Sequence, residues 1–167
     1  LSKGGAFEVF LEEIDRENAP YLDYISLMEM RNNFLVQSKE LWIKYPMAFL
    51  KYASTVIIAG DEQSMEQGFE ILEVLQACYE KEDAAPWHIR RRILAEIEVV
   101  RIFTAFNDAE RMIMHTHKAR MLLEGTNSCL MPKESEFTFG SPHFLYTYYR
   151  EAGRLKETAH ILAEGAP

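Results

Sequence analysis

Turn formers are scarce in this chain: 8 glycines and 6 prolines among 167 residues. So few breakers over that length favour long helices over many short strands. Cysteine is scarcer still, with only Cys78 and Cys129. Neither has a cysteine neighbour at zinc-pair spacing, and two isolated cysteines make no disulfide framework, so both are expected as free thiols in a reducing compartment. Cys78 falls in a helical run, where a small buried thiol is expected. No uninterrupted apolar run approaches the roughly 18 residues of a membrane span. The phosphate-loop pattern G-x-x-x-x-G-K-S/T, the dinucleotide turn G-x-G-x-x-G and the nucleophile elbow G-x-S-x-G are all missing, which removes the common nucleotide and hydrolase motifs. Basic residues are the minority, 18 against 26 acidic, for a net charge of −8. A chain this acidic is not expected to hold nucleic acid by itself or to seek an anionic membrane, because both need a basic surface.

What is present is an ordinary globular composition, 48% hydrophobic and 26% charged, enough for one domain over 1–167 with a sizeable core. Apolar residues recur at helical spacing nearly throughout. Phe7, Phe10, Leu11 and Ile14 mark a first short helix, with Glu8, Glu12, Glu13 and Asp15 on its polar side. Pro20 closes it or opens the next, in which Tyr21, Tyr24, Ile25 and Met28 form a stripe. Phe34 to Tyr45 continues helical, anchored by Leu35, Leu41 and Trp42. Pro46 suits the first turn of a helix, where its missing N–H costs nothing; Phe49, Leu50, Ala53, Val56 and Ile57 then trace its buried face. Asp61 can cap the following helix, in which Phe69, Leu72, Leu75 and Gln76 recur. Asp83-Ala84-Ala85-Pro86 is a break. A long run from Trp87 to Phe106 repeats Ile89, Ile93, Ile97, Val100 and Phe103 on one side. Asp108 suits a second cap, before Met112, Ile113, Thr116, Ala119, Leu122 and Leu123, and Gly125 can end that helix. The stretch Thr126 to Gly140 is the least regular. Pro142 can start a further helix carrying Phe144, Leu145, Tyr148, Tyr149 and Ala152, with Leu155, Ala159 and Leu162 on its partner.

Three turns punctuate these runs at near-constant spacing. Ala59-Gly60-Asp61, Phe106-Asn107-Asp108 and Ala152-Gly153-Arg154 are separated by 47 and 46 residues, counted from Gly60 to Asn107 to Gly153. A period of that kind, made of helix–turn–helix units, signals stacked helical hairpins, which usually bind rather than catalyse. The tetratricopeptide pattern of small and aromatic residues around the turn is met by Ala53 and Phe69, by Phe103 and Ala119, and by Tyr149, but not by Val56, Met65, Met112, Thr116, Thr158 or Leu162. The units also exceed the standard repeat of about 34 residues. The expected fold is therefore all-α, with antiparallel helical hairpins stacked as a tetratricopeptide-like superhelix. The hairpins are placed at approximately 20–45, 46–82, 87–124 and 142–165. The alternative is a non-repetitive α-bundle.

Four clusters invite a chemical reading. His115-Thr116-His117 is the nearest approach to a metal motif, but residues two apart on a helix point about 200° away from each other and cannot share one ion. Glu66, Glu70 and Glu73 share one helix face and read as a solvated acidic stripe. Arg90-Arg91-Arg92 is expected to pair with the acidic face of the preceding helix; cations at a helix start oppose its dipole, which disfavours a phosphate site there. Residues 137–150 hold six aromatics, Phe137, Phe139, Phe144, Tyr146, Tyr148 and Tyr149, too many for one core stripe. They either pack the loop on the last hairpin or line a groove for a ligand or peptide.

Tyr45-Pro46-Met47-Ala48-Phe49-Leu50-Lys51-Tyr52 with Ala59-Gly60-Asp61, Glu96-Ile97-Glu98 through Phe106-Asn107-Asp108, Phe137-Thr138-Phe139-Gly140-Ser141-Pro142, and Tyr149-Arg150-Glu151-Ala152-Gly153 together resemble the central helical region of large LuxR-type, MalT-like bacterial transcriptional regulators. The resemblance covers roughly residues 40 to 160. In that family an ATPase module precedes the helical region and a helix-turn-helix domain follows it. The resemblance thus implies that this chain is a piece of a longer cytoplasmic protein. It also implies a sensor that binds a small-molecule inducer or protein partner and couples binding to self-association as a homo-oligomer. DNA would be bound only by a separate domain. No enzymatic activity, catalytic residue, cofactor or metal is expected. A binding groove would be lined by the inner faces of the first helices of the hairpins, and the residues expected to bind a ligand are Arg101, Phe139, His143, Tyr146 and Arg150. The competing readings are a generic tetratricopeptide-like protein-interaction scaffold and, more remotely, an all-helical hydrolase using His115 or His143 as a base.

Overall fold

A computed structural model describes the chain over residues 3–16, 32–34, 36–59, 61–105, 108–130 and 155–165. The described elements are helices: α1 (Lys3–Ile14), α2 (Lys39–Lys44), α3 (Pro46–Ala59), α4 (Glu62–Tyr79), α5 (Trp87–Thr104), α6 (Ala109–Leu123) and α7 (Leu155–Gly165). No strand occurs among the described residues, so the all-α class is observed. The 34–45 run is not one helix as its apolar spacing suggested. It is interrupted around 36–38, and α2 starts only after Ser38, whose backbone is extended.

Helix α3 is the core of the molecule. Every residue from Pro46 to Ser54 is buried, the pattern of a helix surrounded on all sides. It pairs with α4 as one hairpin and packs also on α5, α1 and α2; α5 pairs with α6 as a second hairpin, and α7 lies on α6. The α3/α4 pair is tight because Gly68 lets the backbones approach. A Cβ there would stand 2.9 Å from a side-chain carbon of Ile57 and 3.1 Å from one of Val56. At the other side of α3 an aromatic cluster seals the first helix. Phe34 stacks on Tyr52 at 4.8 Å between ring centroids and meets Phe49 at 5.3 Å and Phe7 at 5.5 Å edge-on.

The caps follow the sequence. The Asp61 carboxylate accepts from the Ser64 N–H at 3.0 Å, and the Asp108 carboxylate accepts from the Arg111 N–H at 3.0 Å, each satisfying a free donor of a first turn. Helix α6 ends at Leu123, two residues before the expected glycine. Glu124 already takes the left-handed conformation with φ 48°, and Gly125 continues it with φ 83°. Two apolar anchors expected in the core face outward instead: Phe69 is 41% and Ile89 42% exposed. Cys78 and Cys129 are free thiols, both partly buried against the core.

Two charges, Lys51 buried and Asp15 half-buried, tie α1 to α3. The Lys51 ammonium, 1% exposed, donates to the carbonyls of Ile14 at 2.8 Å and Arg16 at 3.1 Å, the open carbonyls at the end of α1. In return the Asp15 carboxylate accepts from the Ala48 N–H at the start of α3 at 3.0 Å. Each helix thus closes an open end of the other. Burial pushes the Asp15 carboxyl above its ordinary 3.8 and holds the Lys51 ammonium below its ordinary 10.5.

Two outcomes follow from this packing. A carboxyl whose pKa is raised by folding holds its proton better in the native state, so its contribution to stability grows as pH falls through the raised value towards 3.8. The unfolding free energy of the native chain minus that of an Asp15→Asn variant should therefore increase on acidification. Urea titrations over a pH series measure it, and a difference that shrinks with acid contradicts the assignment. Gly68→Leu should cost about 3 kcal/mol by overpacking the α3/α4 seam. A variant as stable as the native chain in urea would show that the seam is looser than described.

Candidate functional site

Helix α5 carries most of the buried charge, and it does so on two faces. Residues two apart on a helix diverge by about 200°, so Glu96 and Glu98 point to different surroundings. Both lie where the pattern is otherwise apolar. Glu96 falls at the spacing of Ile93 and Val100, on the buried stripe itself, and is 0% exposed.

A carboxylate with no exposure must be given donors. The Ser128 hydroxyl donates to Glu96 Oε2 at 2.5 Å, and the Cys129 N–H donates to Oε1 at 2.8 Å. Arg92, one turn earlier, brings its Nε to 3.4 Å of Glu96 Oε1. The same guanidinium reaches Thr126 Oγ1 at 3.1 Å and Cys129 Sγ at 2.7 Å. Arg91 pairs with Glu124 at the end of α6. The 124–130 stretch is thereby pinned to α5 by two arginines and a glutamate.

The second network crosses three helices. His115, buried on α6, places Nδ1 at 2.6 Å from Glu98 Oε2. Glu98 Oε1 accepts from Arg101 Nη1 at 3.3 Å. Arg101 Nη2 then donates to Glu73 Oε1 of α4 at 3.1 Å and to Gln76 Oε1. The order His115–Glu98–Arg101–Glu73 runs from α6 through α5 to α4, so one chain of charge-assisted bonds joins the two hairpins.

Of the residues expected to bind a ligand, Arg101 is the one described. Its guanidinium is held by Glu98, Glu73 and Gln76. Phe139, His143, Tyr146 and Arg150 lie outside the described residues, as do Gly60, Asn107, Gly153 and the whole 131–154 stretch. The arginine triplet does not pair with the acidic face of α4 as expected. Arg90 instead donates to the carbonyls of Tyr79 at 2.9 Å and Glu80 at 2.8 Å, where α4 ends and its dipole is negative, while Arg91 and Arg92 turn to the 124–130 stretch. The acidic stripe of α4 is exposed at Glu66, Glu70 and Glu73, with Glu70 bridged to Lys39 at 2.6 Å. His115 and His117 diverge: His117 Nε2 meets the carbonyl of Gly165 on α7 at 3.1 Å. No cluster of three metal-ligating side chains is found among the described residues. No helix there is long and apolar enough to cross a membrane.

The sequence pattern gave Glu96 and Glu98 no role of their own, and it placed Arg92 and His115 in other roles, in a triplet facing α4 and in a failed metal motif. The signal was available for two of them, since Glu96 stands on the Ile93–Val100 stripe and His115 on the Met112–Ala119 stripe. A polar residue on an apolar stripe demands a partner. A cleft of about 410 Å³ opens between α1 and the 32–41 stretch, lined among others by Phe7, Glu8, Asn33, Gln37 and Leu41. It shares no residue with either α5 network. Carboxylate and imidazole at 2.6 Å are the orienting half of a general base. Here both are buried, with Glu98 also bonded to Arg101, and the pair braces helices.

No protein-family model, curated protein or solved structure matches the chain.

Glu96→Ala should cost about 3 kcal/mol, because it removes the carboxylate that accepts from the Ser128 hydroxyl and the Cys129 N–H and that faces Arg92 Nε. Glu96→Gln keeps one acceptor oxygen and should cost less. Urea denaturation ranks the two. Limited proteolysis should show faster cleavage near 126–130 in the alanine variant, and equal cleavage rates would contradict the pinning role.

Proposed function

We propose that this chain is a regulatory sensor and protein-interaction module of a LuxR-type transcriptional regulator, built as tetratricopeptide-like hairpins. On this reading it binds an inducer or a partner and couples that binding to self-association. The observation that carries the proposal is the packing of α3/α4 and α5/α6 as antiparallel pairs with α3 against α5. A hairpin of this kind cannot bury both of its apolar faces alone, and stacking neighbours leaves extended surfaces free for binding. The His115–Glu98–Arg101–Glu73 chain supports coupling, since it links the second hairpin to the first through bonds that a shift of either would break. Arg101 then acts on binding indirectly, by fixing the angle between α4 and α5, rather than by touching the ligand.

The alternative, a tetratricopeptide-like scaffold outside transcription regulation, gains from that same commitment of Arg101 to partners within the chain. The two readings separate on ligand response. In a thermal-shift screen of sugars, peptides and small metabolites, paired with sedimentation velocity, the sensor reading expects at least one ligand that raises Tm and changes the association state together. A chain that answers none of them and stays monomeric throughout contradicts it.

A further inference from the structure

Helix α6 turns an apolar and basic stripe to solvent. Arg111, Met114, Lys118 and Met121 follow one another at i, i+3, i+7 and i+10, which places them within an arc of about 80°. All four are exposed, Met114 by 41% and Met121 by 78%. The stripe is distinct from the faces α6 uses inside the molecule. Met112, His115 and Ala119 point to the core, and Ile113 and His117 meet α7 at Gly165. Arg111 and Lys118 take no ion-pair partner among the described residues, and no acid falls within the arc.

A single exposed apolar residue needs no explanation. Two methionines on one stripe, two turns apart and flanked along one side by Arg111 and Lys118, are a different matter. Their flexible thioethers adapt to varied apolar partners, and such side chains are over-used on protein-binding faces. The local sign is also opposite to that of the chain, whose net charge is −8.

We infer that this α6 face docks an acidic amphipathic helix of a partner protein. Two apolar anchors of that helix, two turns apart, would match the separation of Met114 and Met121, about 10 Å along the axis. Its carboxylates would meet Arg111 and Lys118 at the rim, where charges steer the encounter and set register. The inference rests on the interaction-module reading above and names the class of partner that module takes.

The test uses the full chain and a fluorescein-labelled peptide of about 18 residues, long enough to form a helix on binding, with leucines on one face and glutamates on the others. A control of identical composition spreads its leucines around the helix. Anisotropy titrations should show saturable binding of the amphipathic peptide that weakens with salt. Affinity should fall roughly tenfold or more in the double variants Arg111→Glu/Lys118→Glu and Met114→Ser/Met121→Ser. All four positions are exposed, so circular dichroism should be unchanged in both. Equal affinity for the control peptide overturns the inference, as does full affinity in both double variants. Self-association in sedimentation velocity that the double charge reversal abolishes, with no peptide binding, assigns the face to a second copy and also overturns it. If a ligand from the thermal-shift screen still acts on the double variants while the peptide fails to bind the native chain, the module reading survives and the α6 assignment falls.

Discussion

A carboxylate withdrawn wholly from water is costly unless every lone pair finds a donor, and Glu96 is withdrawn completely. The second half of the molecule is arranged around meeting that demand. The 126–130 stretch returns to α5 to supply a hydroxyl and an N–H, and Arg92 supplies its guanidinium and holds Thr126 and Cys129 in place. Across the same helix, Glu98 imposes the same demand on α6 and α4 and is answered by His115 and by Arg101. Helix α5 is therefore more than the first arm of a hairpin: its buried charges fix where its neighbours must be.

The first half is held by a different device with the same logic. Lys51 and Asp15 exchange positions across the α1–α3 contact, each capping the other helix. Around them the aromatic cluster of Phe7, Phe34, Phe49 and Tyr52 supplies area. Apolar burial provides most of the driving force, while the polar caps select one register for α1 against α3. Tyr79 shows the same division. Its ring lies in the core while its hydroxyl donates to the Ile43 carbonyl at 2.9 Å, and burial pushes its pKa up to about 12, so it stays a donor at any ordinary pH.

Much of this was legible in the residues. The helical runs of α1 and of α3 to α6, the Asp61 and Asp108 caps, Pro46 at a helix start and the divergence of His115 from His117 all rest on local rules, and local rules are read from local sequence. The misses have a common cause. Phe69 and Ile89 fit an apolar period yet face outward, because the period fixes a stripe and not which residues at its edges are covered. The arginine triplet was assigned to the nearest acidic helix, whereas the open carbonyls ending α4 and the returning 124–130 stretch were better placed. The contacts to the returning stretch join elements more than 30 residues apart, which no local pattern encodes, and those to the end of α4 depend on how the α4–α5 connection turns. Of the ligand-binding candidates only Arg101 falls in a described part of the chain, where it joins helices to one another.

The central claim is that the charges on α5 make the two hairpins one cooperative unit rather than two that open separately. Native-state hydrogen exchange under increasing denaturant measures this directly. The account predicts that the slowest amides of α3 and of α5 share one opening free energy, equal to that of global unfolding. If α5 and α6 exchange through an opening of lower free energy that leaves α3 and α4 protected, the hairpins are independent and the account is contradicted.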